Sequence, residues 1–130
     1  MPTTPRTVLT DVIPERTTQK FTAVIKDENG AAIPAASLTT LTLTLYALDG
    51  AQAGTVINSV DDMNILNANR GTVDGSGNLT LLFVPNDMAI LDATLLEERH
   101  VALIEWTYAS GAKSGRHEIQ FRVKNLDKVS

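Results

Sequence analysis

Apolar and polar residues alternate most regularly between Leu38 and Leu48. This alternation predicts a β-strand, because a helical repeat would scatter the leucines around the helix. The face opposite the leucines is covered with threonine, and a buried hydroxyl without a partner costs about 1–3 kcal/mol. We therefore expect that face to meet solvent or a polar interface. The apolar face consists of Leu41, Leu43 and Leu45, and the polar face of Thr40, Thr42, Thr44 and Tyr46.

The same alternation predicts further strands on both sides of this segment. Turn-forming residues separate them, including Asn29-Gly30 and the run from Asp74 to Gly77. The last two strands are joined by a short turn containing Gly111, so we expect them to form an antiparallel hairpin. The predicted strands are Lys20–Asp27, Asn78–Val84, His100–Ala109 and Gly115–Asn125.

One short helix is predicted. Asn86 and Asp87 can cap it, and apolar residues spaced three and four apart carry it to about Leu96. By contrast, the segment from Asp61 to Gly71 is rich in Asn and Asp and predicts an irregular loop or a single helical turn.

About six or seven strands with little helix predict an all-β fold. We expect an immunoglobulin-like antiparallel β-sandwich with one short helix and an extended N-terminal arm, a small closed barrel being the alternative. Trp106 is expected near the centre of the core. The predicted organisation is an arm over residues 1–18, the sandwich over 19–126 and a C-terminal tail over 127–130.

The first sixteen residues contain three prolines and a short apolar patch. They predict either a frayed tail or first edge strand, or an arm that adds a strand to a neighbouring subunit. The adjacent carboxylates of the 61–71 loop are a second candidate contact. The candidate protein-interaction residues are Pro5, Val8, Leu9, Val12, Ile13, Asp61 and Asp62.

Composition narrows the function classes. Sixteen of the 130 residues are threonine, which favours strands, and the absence of cysteine excludes thiol nucleophiles and disulfides. A net charge of -4 argues against a surface that neutralises nucleic-acid phosphates. There is no apolar run of signal-peptide or membrane-spanning length. We therefore expect a cytosolic protein that binds neither nucleic acid nor membrane.

Candidate chemistry is sparse. His100 and His117 are the only side chains that ordinarily titrate near neutrality, and we expect both at the surface, at strand ends. No nucleophile-elbow or phosphate-binding glycine motif accompanies them. Asp61 and Asp62 could contact a cation, but one pair of carboxylates in a loop is ordinarily solvated. We predict no catalytic residue, no metal and no cofactor.

Three segments, Gln19 to Tyr46, Ile57 to Val73 and His100 to Leu126, resemble a family of small immunoglobulin-like virion proteins of tailed bacteriophages. These proteins are encoded among the head and head-tail connection genes. The resemblance implies a structural protein without enzymatic activity, present in symmetric copies at the head-tail neck or head surface. It also implies assembly in the host cytoplasm, with neck, portal or capsid proteins and copies of itself as partners.

Two other hypotheses stay open from the residues alone. One is an adhesin-type or carbohydrate-binding β-sandwich module, which could share the same strand pattern. The other is an enzyme, for which the two histidines would be the candidates.

Overall fold

The computed structural model describes residues 6–50 and 53–126, and within them the chain is mostly β-structure. The strands of the described residues are β1 (Arg6–Pro14), β2 (Gln19–Val24), β3 (Leu38–Ala47), β4 (Met63–Asn64), β5 (Gly71–Val73), β6 (Asn78–Phe83), β7 (Glu97–Tyr108) and β8 (Lys113–Lys124). The long strands predicted by alternation are confirmed, with bounds shifted by a few residues.

The strands form two separate sheets in a sandwich-like arrangement. One sheet has the order β1-β8-β7-β3-β4 and the other β2-β6-β5. The predicted hairpin of the last two strands is confirmed, since β7 pairs antiparallel with β8 over the full length of both. One pair departs from the antiparallel expectation, because β1 runs parallel to β8.

The core lies between the two sheets. The three leucines of the β3 apolar face are fully buried, as predicted, and they pair with Trp106, Ile104 and Ala102 of β7. From the facing sheet, the Phe21 ring packs edge-on against Phe83 and Phe121, with centroid distances of 4.9 and 5.1 Å.

The threonine face of β3 lies on the outside of the five-stranded sheet. Thr40 is exposed and its hydroxyl lies 2.7 Å from that of Thr107, while Thr42 and Thr44 are half-buried. These hydroxyls therefore meet solvent and neighbouring polar groups, as the alternation predicts.

The segment predicted as an arm belongs to the sandwich wherever the structure describes it. Arg6–Pro14 is the edge strand β1 of the chain's own sheet, which is the edge-strand alternative of the sequence prediction. The described sandwich therefore begins before residue 19. Residues 1–5 and the predicted tail at 127–130 lie outside the described residues.

The predicted helix from Asn86 to Leu96 is wrong. Only a 3-10 turn forms, Pro85–Met88, and the chain then continues without helix to β7. The buried Glu98 carboxyl group accepts the backbone N–H groups of Leu91 and Asp92 at 3.0 and 2.8 Å. The side-chain amide of Asn125 donates to two carbonyls of the same segment. Tertiary contacts thus occupy backbone groups that a helix would need for its own bonds.

Asp87, predicted as a helix cap, instead joins three loops. Its buried carboxyl group accepts bonds from Arg70 Nε at 2.7 Å, Asn58 Nδ2 at 2.8 Å and the Val84 N–H at 3.0 Å. The 61–71 loop, which contains Arg70, is irregular, as predicted, apart from the two-residue strand β4 and Gly71, where β5 begins.

Trp106 belongs to the buried core and is 6% exposed. Its indole lies so close to Gly115, its partner on β8, that a Cβ added there would stand 2.7 Å from ring atoms. Among the described residues, the Trp106 Nε1 atom has no hydrogen-bond partner. Glycine at position 115 is therefore required by the close approach of the indole.

Replacing this glycine tests that packing. We expect Gly115→Ala to lower the free energy of unfolding by about 1–3 kcal/mol, because the added methyl group overpacks the site. Gly75→Ala is the matched control, since no atom lies within 4 Å of a Cβ there. Urea unfolding of both variants measures the difference, and equal stabilities would contradict the described packing.

Candidate interaction surfaces

The edge strand β1 is attached to β8 by side-chain bonds as well as by its ladder. Arg6 Nε lies 3.1 Å from a carboxylate oxygen of Glu118, and the Thr7 hydroxyl lies 2.8 Å from His117 Nε2. At the other end of β1, the Glu15 N–H donates to the Lys124 carbonyl at 3.1 Å. The strand is thus held to its own domain at both ends.

The apolar candidates of β1 do not form one surface. Ile13 is buried in the core, Leu9 and Val12 are half-buried, and only Val8 is well exposed, at 61%. Pro5 lies outside the described residues. Of the predicted apolar contacts, Val8 is therefore the one that another molecule could readily reach.

The backbone of β1 is irregular between its two paired stretches. The register with β8 shifts between Val8, which pairs with Gln120, and Val12, which pairs with Arg122. Four positions along β1 thus correspond to two positions along β8. The Arg122 side chain lies at this irregularity, where its guanidinium donates a hydrogen bond to the Thr10 carbonyl at 2.5 Å. A bulge of this kind makes an edge a poor template for another strand.

Asp61 and Asp62 lie near the opposite edge of the same sheet, before β4. Both are exposed, and the Asp62 N–H donates to the Thr44 hydroxyl at 3.0 Å. The structure therefore does not bring the two predicted contact regions together. Within the described ranges, no three His, Cys, Asp or Glu side chains lie close enough to hold a metal ion.

A groove of about 480 Å³ crosses the outer face of the five-stranded sheet at its β7–β8 turn. Its walls carry mainly hydroxyl and charged groups, together with Trp106 and Gly115. The residues that define it are Thr40, Thr42, Asp62, Glu105, Thr107 and Arg116.

Several charges on this outer face are paired within the chain. Arg116 lies 2.6 Å from Glu105, and Arg99 lies 2.9 Å from Asp49. The hydrogen bond from Arg99 holds the pKa of the Asp49 carboxyl group below its usual value. Such exposed pairs stabilise the fold by little.

A second cleft, of about 520 Å³, opens between the two sheets on the side of β1 and β2. Thr7 and His117 line it from one sheet, and Thr22 and Val24 from the other, with Trp106 also in its wall. Burial lowers the pKa of His117. We call this space the lateral cleft.

The lateral cleft ends at the turn after β2. There Glu28 accepts bonds from Lys113 at 2.6 Å and from the Tyr108 hydroxyl at 3.1 Å, which tie the turn to the β7–β8 hairpin. The hydrogen bond from Lys113 lowers the pKa of Glu28. Sequence reasoning missed this cleft, because its walls come from strands that are distant in the sequence and alternation does not show which strands lie side by side.

The surface position expected for His100 is wrong. This side chain is fully buried, with Nε2 2.5 Å from a Glu98 oxygen and its ring edge-on to Phe121. Burial lowers the pKa of His100. Because the imidazole has no exposed surface, it cannot touch a substrate in this conformation.

Comparisons with protein-family models, with curated proteins and with solved structures found no match to this chain. The described part of the chain also has no helix long and apolar enough to cross a membrane.

The attachment of β1 can be tested with two residues of the same strand. We expect Ile13→Ala to lower the free energy of unfolding by about 2–5 kcal/mol, because Ile13 is buried in the core. Val8→Ala should change it by about 0.5 kcal/mol or less. Chemical unfolding compares the two, and an Ile13→Ala variant as stable as the parent would mean that β1 does not pack on the domain in solution.

Proposed function

We propose that this protein is a non-enzymatic structural component of a tailed-phage virion. Symmetric copies assemble at the head-tail neck or head surface through protein–protein contacts. The observation that carries the proposal is the surface of the sandwich, which offers the unbroken strand edge of β2 and an outer face that carries ion pairs within the chain. The sequence resemblance to phage virion proteins supplies the biological setting.

We also propose the immunoglobulin-like version of the sandwich. In the variable-type fold, strands G, F, C and C′ form one sheet and strands B, E and D belong to the other. The orders β8-β7-β3-β4 and β2-β6-β5 correspond to these two sets, with β1 added beside the last strand. The chain departs from antibody domains in having no cysteine pair and in carrying its tryptophan on β7.

The roles of the buried polar groups support a structural protein rather than an enzyme. The Asp87 carboxyl group accepts hydrogen bonds from Arg70 and Asn58. The Glu98 carboxyl group accepts a hydrogen bond from the backbone of the 89–96 segment and lies within hydrogen-bond distance of His100. These groups hold loops in place.

The proposed partners are neck, portal or capsid proteins and copies of the chain itself. Val8, Asp61 and Asp62 are the candidate residues that remain exposed and can meet a partner directly. Assembly in the host cytoplasm agrees with a chain that has no cysteine to protect.

The test uses a phage whose genome carries this gene, and compares the parental gene with a version that contains an early stop codon. We expect mass spectrometry of purified parental particles to detect the chain at a fixed ratio to the major capsid protein. Particles grown without it should lose infectivity or fail to join heads to tails, and suppression of the stop codon is the control. Absence of the chain from purified parental particles would rule out the proposal.

The groove on the outer face favours a second candidate, a carbohydrate-binding module. Its hydroxyls and charged groups could bond sugar hydroxyls, although Trp106 in its wall is only 6% exposed and offers little surface for stacking. Binding of the purified protein to a glycan array, lost in a Thr42→Ala, Glu105→Ala double variant, would favour this candidate over a virion role.

A further inference from the structure

The two lateral sides of the sandwich differ in their edge strands. On one side the sheets end in β4 and β5, of two and three residues. On the other side they end in β1 and β2, of nine and six residues. Short edge strands resist the addition of another strand, whereas long ones invite it. The side that carries β1 and β2 is therefore the one open to strand addition.

Of these two long edges, β2 is the better template. The bulge between Val8 and Val12 and the terminal Pro14 disturb β1. All six residues of β2 pair with β6 in one unbroken register, and the strand contains no proline. It therefore presents a regular edge along its whole length.

The hydrogen bonds beyond β2 show which backbone groups face that edge. The Ile25 N–H donates to the Gly77 carbonyl at 3.0 Å, on the side where β6 begins. Backbone groups of alternate residues in a strand point the same way. Those of Lys20, Thr22 and Val24 therefore point away from β6, where the described part of the chain has no strand to receive them.

The exposed side chains of β2 and the cleft beside it are compatible with an added strand at this edge. Lys20, Thr22 and Val24 are exposed on the outer face, and Val24 keeps 44% of its surface in solvent. The lateral cleft runs beside the same edge, since Thr22 and Val24 form part of its wall. The described residues thus leave open space beside β2.

We propose that the occupant is β2 of a second copy, paired antiparallel about a two-fold axis through Thr22. The three-stranded sheets of two copies would then become one continuous sheet. The proposal deepens the proposed function by naming a contact between copies, and it rests on that function only for the expectation that copies meet.

The sequence of β2 fits this self-pairing. The axis sets Thr22 opposite Thr22 of the other copy, and Lys20 opposite Val24. Inward-facing residues stay inward, because each such pair joins positions of the same face. The strand carries no acidic residue and only one lysine, so the pairing opposes no like charges. The aliphatic part of Lys20 would cover the exposed Val24 of its partner.

Sedimentation velocity over a concentration series tests this pairing. We expect the parent chain to form dimers, and Thr22→Lys to weaken dimerisation by about fivefold or more, because two lysines then face each other beside Lys20 of each copy. Thr22→Glu is the variant of opposite charge. An equal mixture of the two variants should regain dimers, since opposite charges then meet at the axis. Thr72→Lys is the matched control, on the exposed face of β5 at the other edge of the same sheet, and should dimerise like the parent.

Three results would overturn the proposal. They are a parent chain that stays monomeric at all reachable concentrations, a Thr22→Lys variant that dimerises like the parent, and a mixture that fails to regain dimers. Circular dichroism confirms that each variant is folded before it is measured. A monomeric parent chain found in purified particles would refute the β2 contact alone and leave the virion role standing, with a different subunit as the candidate for that edge.

Discussion

The central position of β7 is the constraint on which the rest of the structure depends. It pairs with β3 on one side and with β8 on the other, and these two ladders are the longest in the described fold. They align the leucines of β3 with the buried residues of β7 and β8, so that one apolar face meets the phenylalanines of the smaller sheet. Burial of this face is the main source of stability. It also fixes which residues remain outside, and thus gives the threonines their place on the outer surfaces.

Buried polar residues determine the shape of the connections between strands. Asp87 joins the loops that carry Arg70 and Asn58, and Glu98 and Asn125 bind the backbone of the 89–96 segment. A buried polar group is stable only when its bonds are satisfied, so each loop is held in one arrangement. These connections are therefore held by buried hydrogen bonds as well as by packing against the core.

The strands could be predicted from sequence because alternation depends only on which face is buried, as Leu41 to Leu45 illustrate. The helix prediction at 86–96 failed because apolar spacing cannot reveal that Glu98 and Asn125 bind that backbone. The burial of His100 was missed for a related reason, since its place on the inner face of β7 depends on the register with Phe121. The free edge of β2 follows from strand order, which pairs residues distant in sequence. In the sequence, the one feature that agrees with this free edge is Val24, an apolar residue on the polar face of the strand.

The central claim is that the outer edge of β2 presents backbone groups that no strand of the described chain receives. Amide hydrogen exchange, followed residue by residue by NMR, tests this most directly. At low concentration, we expect slow exchange at Phe21 and Ala23, whose N–H groups face β6, and fast exchange at Lys20, Thr22 and Val24. At high concentration, exchange at the latter three should slow. Equal protection of both sets in the dilute protein, or fast exchange that no concentration slows, would contradict the account.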